Sequence, residues 1–423
     1  MLDRKFILQN PDLVRDNCQK RGVPCDIDQI VSLESQRMEQ LQLAQELNRQ
    51  ANEVSKSIKS ASNEERPQII ERGRELRQQK DDAQSKCDEL EAAILEIQKF
   101  IPNLTHPDVP EGGEDDAKEL SFGKTAKPNF DFKALDHLEL GEKHDLFDFE
   151  GGARVAGAGF YFLRNAAVRL DLALQQFAVS YLGDKGFTPV STPDLALTEV
   201  LQGTGFNPRG PETQIYSIEN TELNLVATAE ITLGGMMSGQ TVLDSELPIK
   251  LCGLSHCFRT EAGAAGRASK GLYRVHQFTK VEMFAFTLPE QSDAIHEEMR
   301  GLECEIFDAL EVPYRVIDTA SGDLGGPAYR KYDLEAWMPG RGESGEWGEV
   351  TSTSNCTDYQ SRRLNVRYKV ASEKGTKYVH TLNGTAIATG RAMIAILENH
   401  QRADGSIAVP KALQPWMGCE VIQ

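Results

Sequence analysis

Two runs of residues at heptad spacing near the start of the chain most constrain its fold. The first run extends from Leu33 to Ala61 in 4-3 steps, and the second extends from Ile69 to Ile101. Between them, residues 62–67 (SNEERP) have the composition of a turn. Because helices with an apolar 4-3 repeat pack along that seam, the pattern predicts an antiparallel coiled-coil arm over about residues 30–101. Two helices of about 32 residues would reach about 48 Å.

The seam is interrupted, and the far end of the arm is basic. Arg37, Gln40, Gly73 and Lys80 occupy seam positions, which favours a paired arm over a strong oligomerising zipper. Residues 54–80 contain seven Lys or Arg against four Asp or Glu, in a chain whose net charge is −18. A solvated helix surface and an RNA-phosphate-binding surface both have this pattern. The candidate phosphate-binding residues are Lys56, Lys59, Arg66, Arg72, Arg74 and Arg77.

Length and composition indicate a soluble protein of more than one domain. A chain of 423 residues, 40% apolar and 26% charged, has room for two or three domains. Prolines and glycines in residues 102–113, followed by three acidic residues, indicate a linker. We therefore expect one domain over residues 1–105 and a second over residues 106–423. The sequence has no uncharged apolar run long enough to span a bilayer, and its start lacks a signal-peptide core, so no membrane partner is expected.

Charge and cysteine content exclude further classes. The acidic balance argues against a generic nucleic-acid binder, so DNA is not an expected partner and any RNA contact should be local. The eight cysteines form no CxxC pair and no framework spacing. We expect no structural zinc and a reducing, cytoplasmic location.

The stretch from Leu251 to Phe286 contains two strand-like runs on either side of a loop, residues 262–271. Period-two alternation places Arg259 and Glu261 on one face of the first run. In the second run, one face carries Arg274, His276, Phe278, Lys280 and Glu282. A solvated hairpin accounts for this pattern, and so does a surface for a nucleotide and a zwitterion, since arginine forks bind phosphate and aromatic rings stack on bases.

The same stretch resembles a known motif. FRTE, a variable loop and RVHQFTKVEMF are similar to the second signature motif of class II aminoacyl-tRNA synthetases, in the form found in seryl-tRNA synthetases. Further segments resemble that family's first motif, its amino-acid pocket, its metal-binding strand and its third motif; they are residues 149–163, 186–193, 225–230, 347–363 and 382–401. The resemblance implies an α+β chain, with the helical arm followed by a catalytic domain on a mixed, mainly antiparallel β-sheet flanked by helices.

The resemblance also implies roles for individual residues. The ATP-binding set comprises Arg259, Thr260, Glu261, Arg274, Val275, Phe278, Glu349, Val350, Thr351, Ser352 and Arg391, with Arg259 and Arg391 as the catalytic pair. The L-serine-binding set comprises Thr228, Ala229, Glu230, Glu282, Asn383 and Thr385. Glu349 and Ser352 match residues that hold Mg²⁺ with ATP. These two positions have opposite strand parity, so they reach one ion only if the strand bends or bulges.

The implied reaction is activation of L-serine by ATP to seryl-adenylate, followed by transfer to the 3′ end of tRNA(Ser), and also of tRNA(Sec) where it is present. The resemblance further implies a homodimer through the first motif and an arm that holds the long variable arm of the tRNA. The loop 262–271, with Arg267 and Lys270, is a candidate for contacting the acceptor end. Three alternatives are a synthetase for another small amino acid, a ligase that charges a carrier protein, and a coiled-coil adaptor with an inactive body.

Overall fold

The computed structural model describes residues 1–59, 61–206, 214–261 and 271–423. Over these residues the chain forms two compact units, Met1–Leu104 and Thr105–Gln423. None of the helices in the described ranges combines the length and apolarity needed to cross a membrane.

In its described residues, the first unit contains four helices: α1 (Arg4–Gln9), α2 (Pro11–Lys20), α3 (Ile27–Ser57) and α4 (Arg66–Gln98). The two long helices, α3 and α4, pack along the predicted seams, where Ala44, Leu47 and Ala51 of α3 share an apolar cluster with Leu76 and Ala83 of α4. The coiled-coil arm is therefore confirmed. Near its base, α1 and α2 add Ile7 and Val14 to a second apolar cluster.

The polar seam residue Arg37 is neutralised locally. Its guanidinium pairs with Glu34 at 2.6 Å and with Glu91 of the facing helix at 3.4 Å. Arg4 of α1 also contacts Glu91, at 2.6 Å. These ion pairs between different helices lie near the base of the arm.

The second unit contains seventeen strands within the described ranges. They are β1 (Lys118–Phe122), β2 (Phe147–Asp148), β3 (Phe162–Leu163), β4 (Thr188–Ser191), β5 (Leu195–Leu197), β6 (Leu223–Leu225), β7 (Thr241–Leu243), β8 (Ile249–Phe258), β9 (Gln277–Thr287), β10 (Tyr314–Asp318), β11 (Arg330–Met338), β12 (Glu346–Asn355), β13 (Arg367–Lys369), β14 (Lys377–Tyr378), β15 (His380–Ala388), β16 (Ile407–Ala408) and β17 (Val421–Ile422). Eight of them form the main sheet in the order β1-β10-β11-β12-β15-β9-β8-β4. Within this sheet only β4 and β8 pair in parallel, so the mixed, mainly antiparallel sheet is confirmed.

Helices flank this sheet. They are α5 (His137–Lys143), α6 (Phe149–Ala156), α7 (Asn165–Asp184), α8 (Thr198–Thr204), α9 (Ala229–Met236), α10 (Ser292–Ala309), α11 (Tyr359–Leu364), α12 (Thr389–Asn399) and α13 (Gln414–Met417). On β9, Val281, Met283 and Ala285 enter the large core with α7, α10 and α12. Phe284 instead packs with Ala229 of α9 in a smaller core. Period-two alternation therefore sends Lys280 and Glu282 to the α9 side of the sheet.

Within the described residues, one-residue bulges interrupt this alternation on three strands of the main sheet: on β1 at Leu120, on β12 and on β15. On β12, Thr351 pairs with Leu334 but Glu349 pairs with Glu335, so Val350 is the extra residue. On β15, Thr385 pairs with Glu282 but Ile387 pairs with Val281, so Ala386 is the extra residue. Each bulge changes which side chains share a face, and the one on β12 bears directly on the site.

Candidate active site

A cavity of about 190 Å³ opens on the α9 side of the main sheet. Arg259, Phe278, Glu282 and Arg391, which come from two separate sequence motifs, all line it. Most of the other residues expected at the site line it as well: Thr228, Glu230, Glu261, Arg274, Val275, Glu349, Val350, Thr351, Ser352, Asn383 and Thr385. The sheet therefore brings together residues from distant parts of the chain, which is what a common binding site requires.

Three expected residues do not line the cavity. Ala229 is buried in the smaller core beside Phe284. Thr260 donates its backbone N–H to the Gln214 carbonyl oxygen at 3.1 Å. His276, which simple alternation placed on the cavity face, lies just before β9 and packs its ring against Phe160.

Arg259 and Phe278 form one wall of the cavity. The Arg259 guanidinium carbon lies 5.2 Å from the centre of the Phe278 ring, a cation–π contact. Arg274 Nη1 lies 3.3 Å from Glu261 Oε2, which holds both side chains at the cavity edge. A flat ring beside a guanidinium suits a base and its adjoining phosphate.

Arg391 lines the cavity beside Glu349. Its Nη1 contacts Glu349 Oε1 at 3.0 Å, and its guanidinium carbon lies 4.7 Å from the Tyr273 ring centre. The Tyr273 hydroxyl in turn donates to the Glu349 backbone oxygen at 3.2 Å. Desolvation acts to raise the pKa of Glu349, but the charges of Arg391, Lys331 and Arg259 outweigh it, so that pKa is lowered. Glu349 is therefore an ionised oxygen donor at neutral pH.

The β12 bulge explains how Glu349 and Ser352 can lie on the same face although their positions have opposite strand parity. Their cross-strand partners, Glu335 and Asp333, are two residues apart on β11 and so share a face. Because Val350 is extra, Glu349 and Ser352 share that face too, and both line the cavity. In the described part of the chain no three His, Cys, Asp or Glu side chains cluster as metal ligands. One carboxylate and one hydroxyl fit Mg²⁺, which usually takes few protein ligands and completes its shell with substrate phosphates and water.

Glu230 lies at the other end of the cavity and is bound by amides. Asn383 Nδ2 donates to Glu230 Oε1 at 2.9 Å, and Gln360 Nε2 donates to the same oxygen at 2.6 Å. Burial, and then the nearby charge of Glu282, raise the pKa of Glu230 to about 7. Thr228 caps α9 by accepting the Glu230 backbone N–H at 3.3 Å. A carboxyl held by neutral amides suits a ligand ammonium.

Two residues that contact the carboxyl groups of the site, Gln360 and Lys280, were not identified as site residues from the sequence. Gln360 holds Glu230, and its own Oε1 accepts from the Thr381 hydroxyl at 2.7 Å. Lys280 lines the cavity and pairs with Glu282 at 2.5 Å. Alternation had placed Lys280 on the correct face, but it had not marked the residue as part of a site. The cavity also contains residues without a predicted role: Phe206, Leu272, Tyr273, Ala388 and Gly390.

The predicted RNA-binding residues of the arm are all exposed. Arg72 and Arg74 make surface ion pairs with Glu75 and Glu71, and Arg77 Nη2 lies 3.2 Å from Ser55 Oγ. Exposed pairs of this kind are weak, so these guanidinium groups are available to phosphate. The candidate acceptor-end residues Arg267 and Lys270 lie outside the described residues.

Comparisons with known proteins agree with this arrangement. Residues 1–105 match the family model of the seryl-tRNA synthetase N-terminal domain, and residues 214–400 match the tRNA synthetase class II core domain (G, H, P, S and T). The chain is 78% identical to a serine--tRNA ligase of Rhodopirellula baltica, with 100% of both chains covered. Among solved structures, it is similar to seryl-tRNA synthetase from Pyrococcus horikoshii complexed with ATP, with a TM-score of 0.93, 38% identity and coverage of 100% and 99%. It is also similar to a cytoplasmic serine-tRNA ligase of Naegleria fowleri in complex with AMP, with a TM-score of 0.88, 31% identity and the same coverage.

Proposed function

The chain belongs to the seryl-tRNA synthetase family, and we propose that the cavity is the site at which it activates L-serine with ATP before transfer to tRNA(Ser). It is an ATP-dependent aminoacyl-tRNA ligase. The observation that carries the proposal is the single cavity that joins Arg259, Phe278 and Arg391 to Glu230 and Glu282. One end of this cavity suits a nucleotide, and the other suits a small amino acid.

At the nucleotide end, the adenine stacks on Phe278 beside Glu261, and Arg259 binds the α-phosphate. Arg274 lies toward the distal phosphates, and Arg391 stabilises the reacting phosphate from the opposite wall. Glu349 and Ser352 hold Mg²⁺, which when bound neutralises phosphate charge. Val275, Val350 and Thr351 contribute backbone and van der Waals contacts to ATP, whereas Thr260 lies outside the cavity lining.

At the amino-acid end, Glu230 binds the serine ammonium, with Thr228 and Asn383 beside it. Ala229 contributes backbone in this segment. Glu282 and Thr385 face the serine side chain. Glu282 already has a cationic partner, because Lys280 pairs with it. The free acceptor capacity of Glu282 therefore suits a hydroxyl.

The first step forms a bond between a serine carboxylate oxygen and the α-phosphorus of ATP, and it breaks the bond to pyrophosphate. In the second step, a hydroxyl of the terminal adenosine of tRNA attacks the acyl carbon, and AMP leaves. Phosphoryl transfer needs mainly alignment and charge stabilisation. Arg259 and Arg391 provide these from two sides, without an assigned general base.

Amino-acid-dependent exchange of pyrophosphate into ATP tests this function. The purified chain should exchange with serine and not with alanine, glycine, threonine or proline. Exchange with a different small amino acid would show that this amino acid, and not serine, is the substrate. No exchange with any amino acid would favour the coiled-coil adaptor with an inactive body. Transfer to a carrier protein in place of tRNA would identify the carrier ligase.

The arm supplies the tRNA contact in this proposal. Its basic end, with Lys56, Lys59 and Arg66 among the exposed residues, binds the backbone of the long variable arm of tRNA(Ser), and of tRNA(Sec) where that RNA is present. The arm corresponds to an N-terminal domain over residues 1–105, and the catalytic domain follows over residues 106–423.

A homodimer completes the proposed assembly. Val155, Phe162, Val168 and Leu172 of α6, β3 and α7 are exposed apolar side chains in the segments that lead to the first-motif strand β4. Clustered apolar exposure supports a subunit interface there. The eight cysteines carry free thiols, which supports a cytoplasmic location.

A further inference from the structure

Lys280 occupies the wall of the cavity without a role in the steps above. The residue is 6% exposed, and its Nζ lies 2.5 Å from Glu282 Oε2 and 3.4 Å from Thr385 Oγ1. Thr385 Oγ1 donates to the same Glu282 oxygen at 3.3 Å. Lysine is seldom buried to this extent unless it is paired, so its place in the cavity wall points to a specific role.

Two groups contact the same Glu282 oxygen. The Lys280 ammonium and the Thr385 hydroxyl both lie against Oε2. An ionised carboxylate is an acceptor only, so Oε1 can receive a hydrogen bond from a ligand but cannot donate one. The ammonium of Lys280 fixes the position of this carboxyl group.

The nearby Glu230 carboxyl group increases the need for a cation beside Glu282. The Glu230 and Glu282 carboxyls lie close enough that the charge of Glu282 contributes to raising the Glu230 pKa. Two carboxylates in one buried wall repel each other, and one of them takes a proton unless a cation is present. Lys280 contacts Glu282 directly, whereas the polar partners of Glu230 are the amides of Asn383 and Gln360.

We propose that Lys280 is a positioning residue that orients Glu282 as a hydrogen-bond acceptor for the amino-acid hydroxyl, and thereby determines selection of serine over alanine. This inference rests on the proposed function. A site that hydrogen-bonds a substrate hydroxyl rejects an analogue lacking it, because its own polar group is then left unpaired. Without Lys280, Glu282 loses the contact that orients it, and that penalty against alanine is lost.

The test compares K280M and K280R with the control K250M in pyrophosphate exchange. Lys250 lies on the neighbouring strand β8, outside the cavity, and pairs with Glu298 at 2.7 Å. K280M should raise the KM for serine about tenfold, leave the KM for ATP within about twofold, and lower the serine-to-alanine ratio of kcat/KM about tenfold. K280R should recover most of the loss, and K250M should match the wild type in all three quantities.

The double variant K280M/E282Q covers the case in which K280M does not fold, because it leaves no unpaired buried charge. It should fold and still bind serine about tenfold more weakly, measured by the serine-dependent rise in Tm without ATP. Wild-type serine affinity in the double variant, or an unchanged serine-to-alanine ratio in K280M, would overturn the role of Lys280. A wild-type chain without serine-dependent exchange would instead overturn the proposed function itself.

Discussion

Two carboxyl groups in the same cavity are driven to opposite protonation behaviour by their neighbours. Glu349 contacts the Arg391 guanidinium, and its pKa is lowered. Glu230 is buried among amides near the charge of Glu282, and its pKa is raised to about 7. At the scale of single residues, the structure thus separates a permanently charged phosphate end from an amino-acid end that gains its charge near neutral pH.

This difference predicts a pH-dependent stability that E230Q removes. The folded protein keeps the Glu230 proton up to about pH 7, whereas the unfolded chain loses it near pH 4.5. Between these values the folded state binds more protons, so this group lowers the free energy of unfolding as pH rises. The stability of E230Q relative to the wild type should therefore increase by about 3 kcal/mol from about pH 4.5 to about pH 7.5, measured by urea unfolding at each pH. A constant difference between the two proteins across this range would contradict the raised pKa.

Sequence reasoning selected motif residues that meet in one cavity, but it did not identify the residues that contact them. Arg259, Glu282 and Arg391 were predicted for one site, and they line one cavity. Gln360 could not be found in this way, because its amide bridges Glu230 and Thr381 across three chain segments. Such a partner depends on tertiary packing and leaves no periodic signal in the sequence.

At the scale of elements, the bulges in β12 and β15 decide what the strands present. Alternation alone predicted that Glu349 and Ser352 point apart unless the strand bends or bulges. It could not place that bulge at Val350, because one extra residue leaves the composition of a strand unchanged. The heptad seams, in contrast, predicted α3 and α4 closely, since a paired helix is the structure that buries a 4-3 repeat sustained over many residues.

Thr351 ties the β12 bulge to the helix behind the sheet. Its hydroxyl donates to Glu303 Oε2 at 3.0 Å, and Glu303 is fully buried in α10 with a pKa raised by that burial. T351V removes this bond and should lower the free energy of unfolding by about 1–2 kcal/mol. It should also weaken Mn²⁺ binding in the presence of ATP about tenfold, because the strand no longer holds Glu349 and Ser352 in place.

Electron paramagnetic resonance of Mn²⁺ measures that affinity without requiring turnover. T188V is the matched control, since Thr188 is an exposed threonine on β4. If T351V bound Mn²⁺ as tightly as T188V, backbone pairing alone would be sufficient to hold the bulge.

At the scale of the whole molecule, the proposed chemistry and the proposed RNA binding belong to different units, each with its own apolar core. All the residues that line the cavity belong to the unit Thr105–Gln423. The exposed basic residues of the arm belong to Met1–Leu104. Serine activation should therefore survive changes to the arm that prevent charging of tRNA.

Shortening the arm tests this division. Replacing residues 45–82 with a short Gly-Ser linker removes the basic end and keeps the ion pairs of Arg4 and Arg37 with Glu91 at the base. Serine-dependent exchange should stay within about twofold of the wild type, and aminoacylation of tRNA(Ser) should fall at least about a hundredfold, because the phosphate contacts are lost. The control is a replacement of residues 45–82 by a segment of the same length that retains the six basic residues. Unchanged charging by the shortened protein would remove the arm from tRNA recognition.

Because Val350 is an extra residue in β12, deleting one residue and inserting one residue would have different effects on which side chains share a face. Removal of Val350 would leave Glu349 and Ser352 as next-but-one neighbours in an uninterrupted ladder, so both oxygen donors would still project from the same side. One additional residue placed between Thr351 and Ser352, with the ladder beyond it unchanged, would rotate one donor by half a turn relative to the other. Either change would alter the hydropathy and the length of the strand very little. Only the insertion, however, would place Glu349 and Ser352 on opposite faces of the strand.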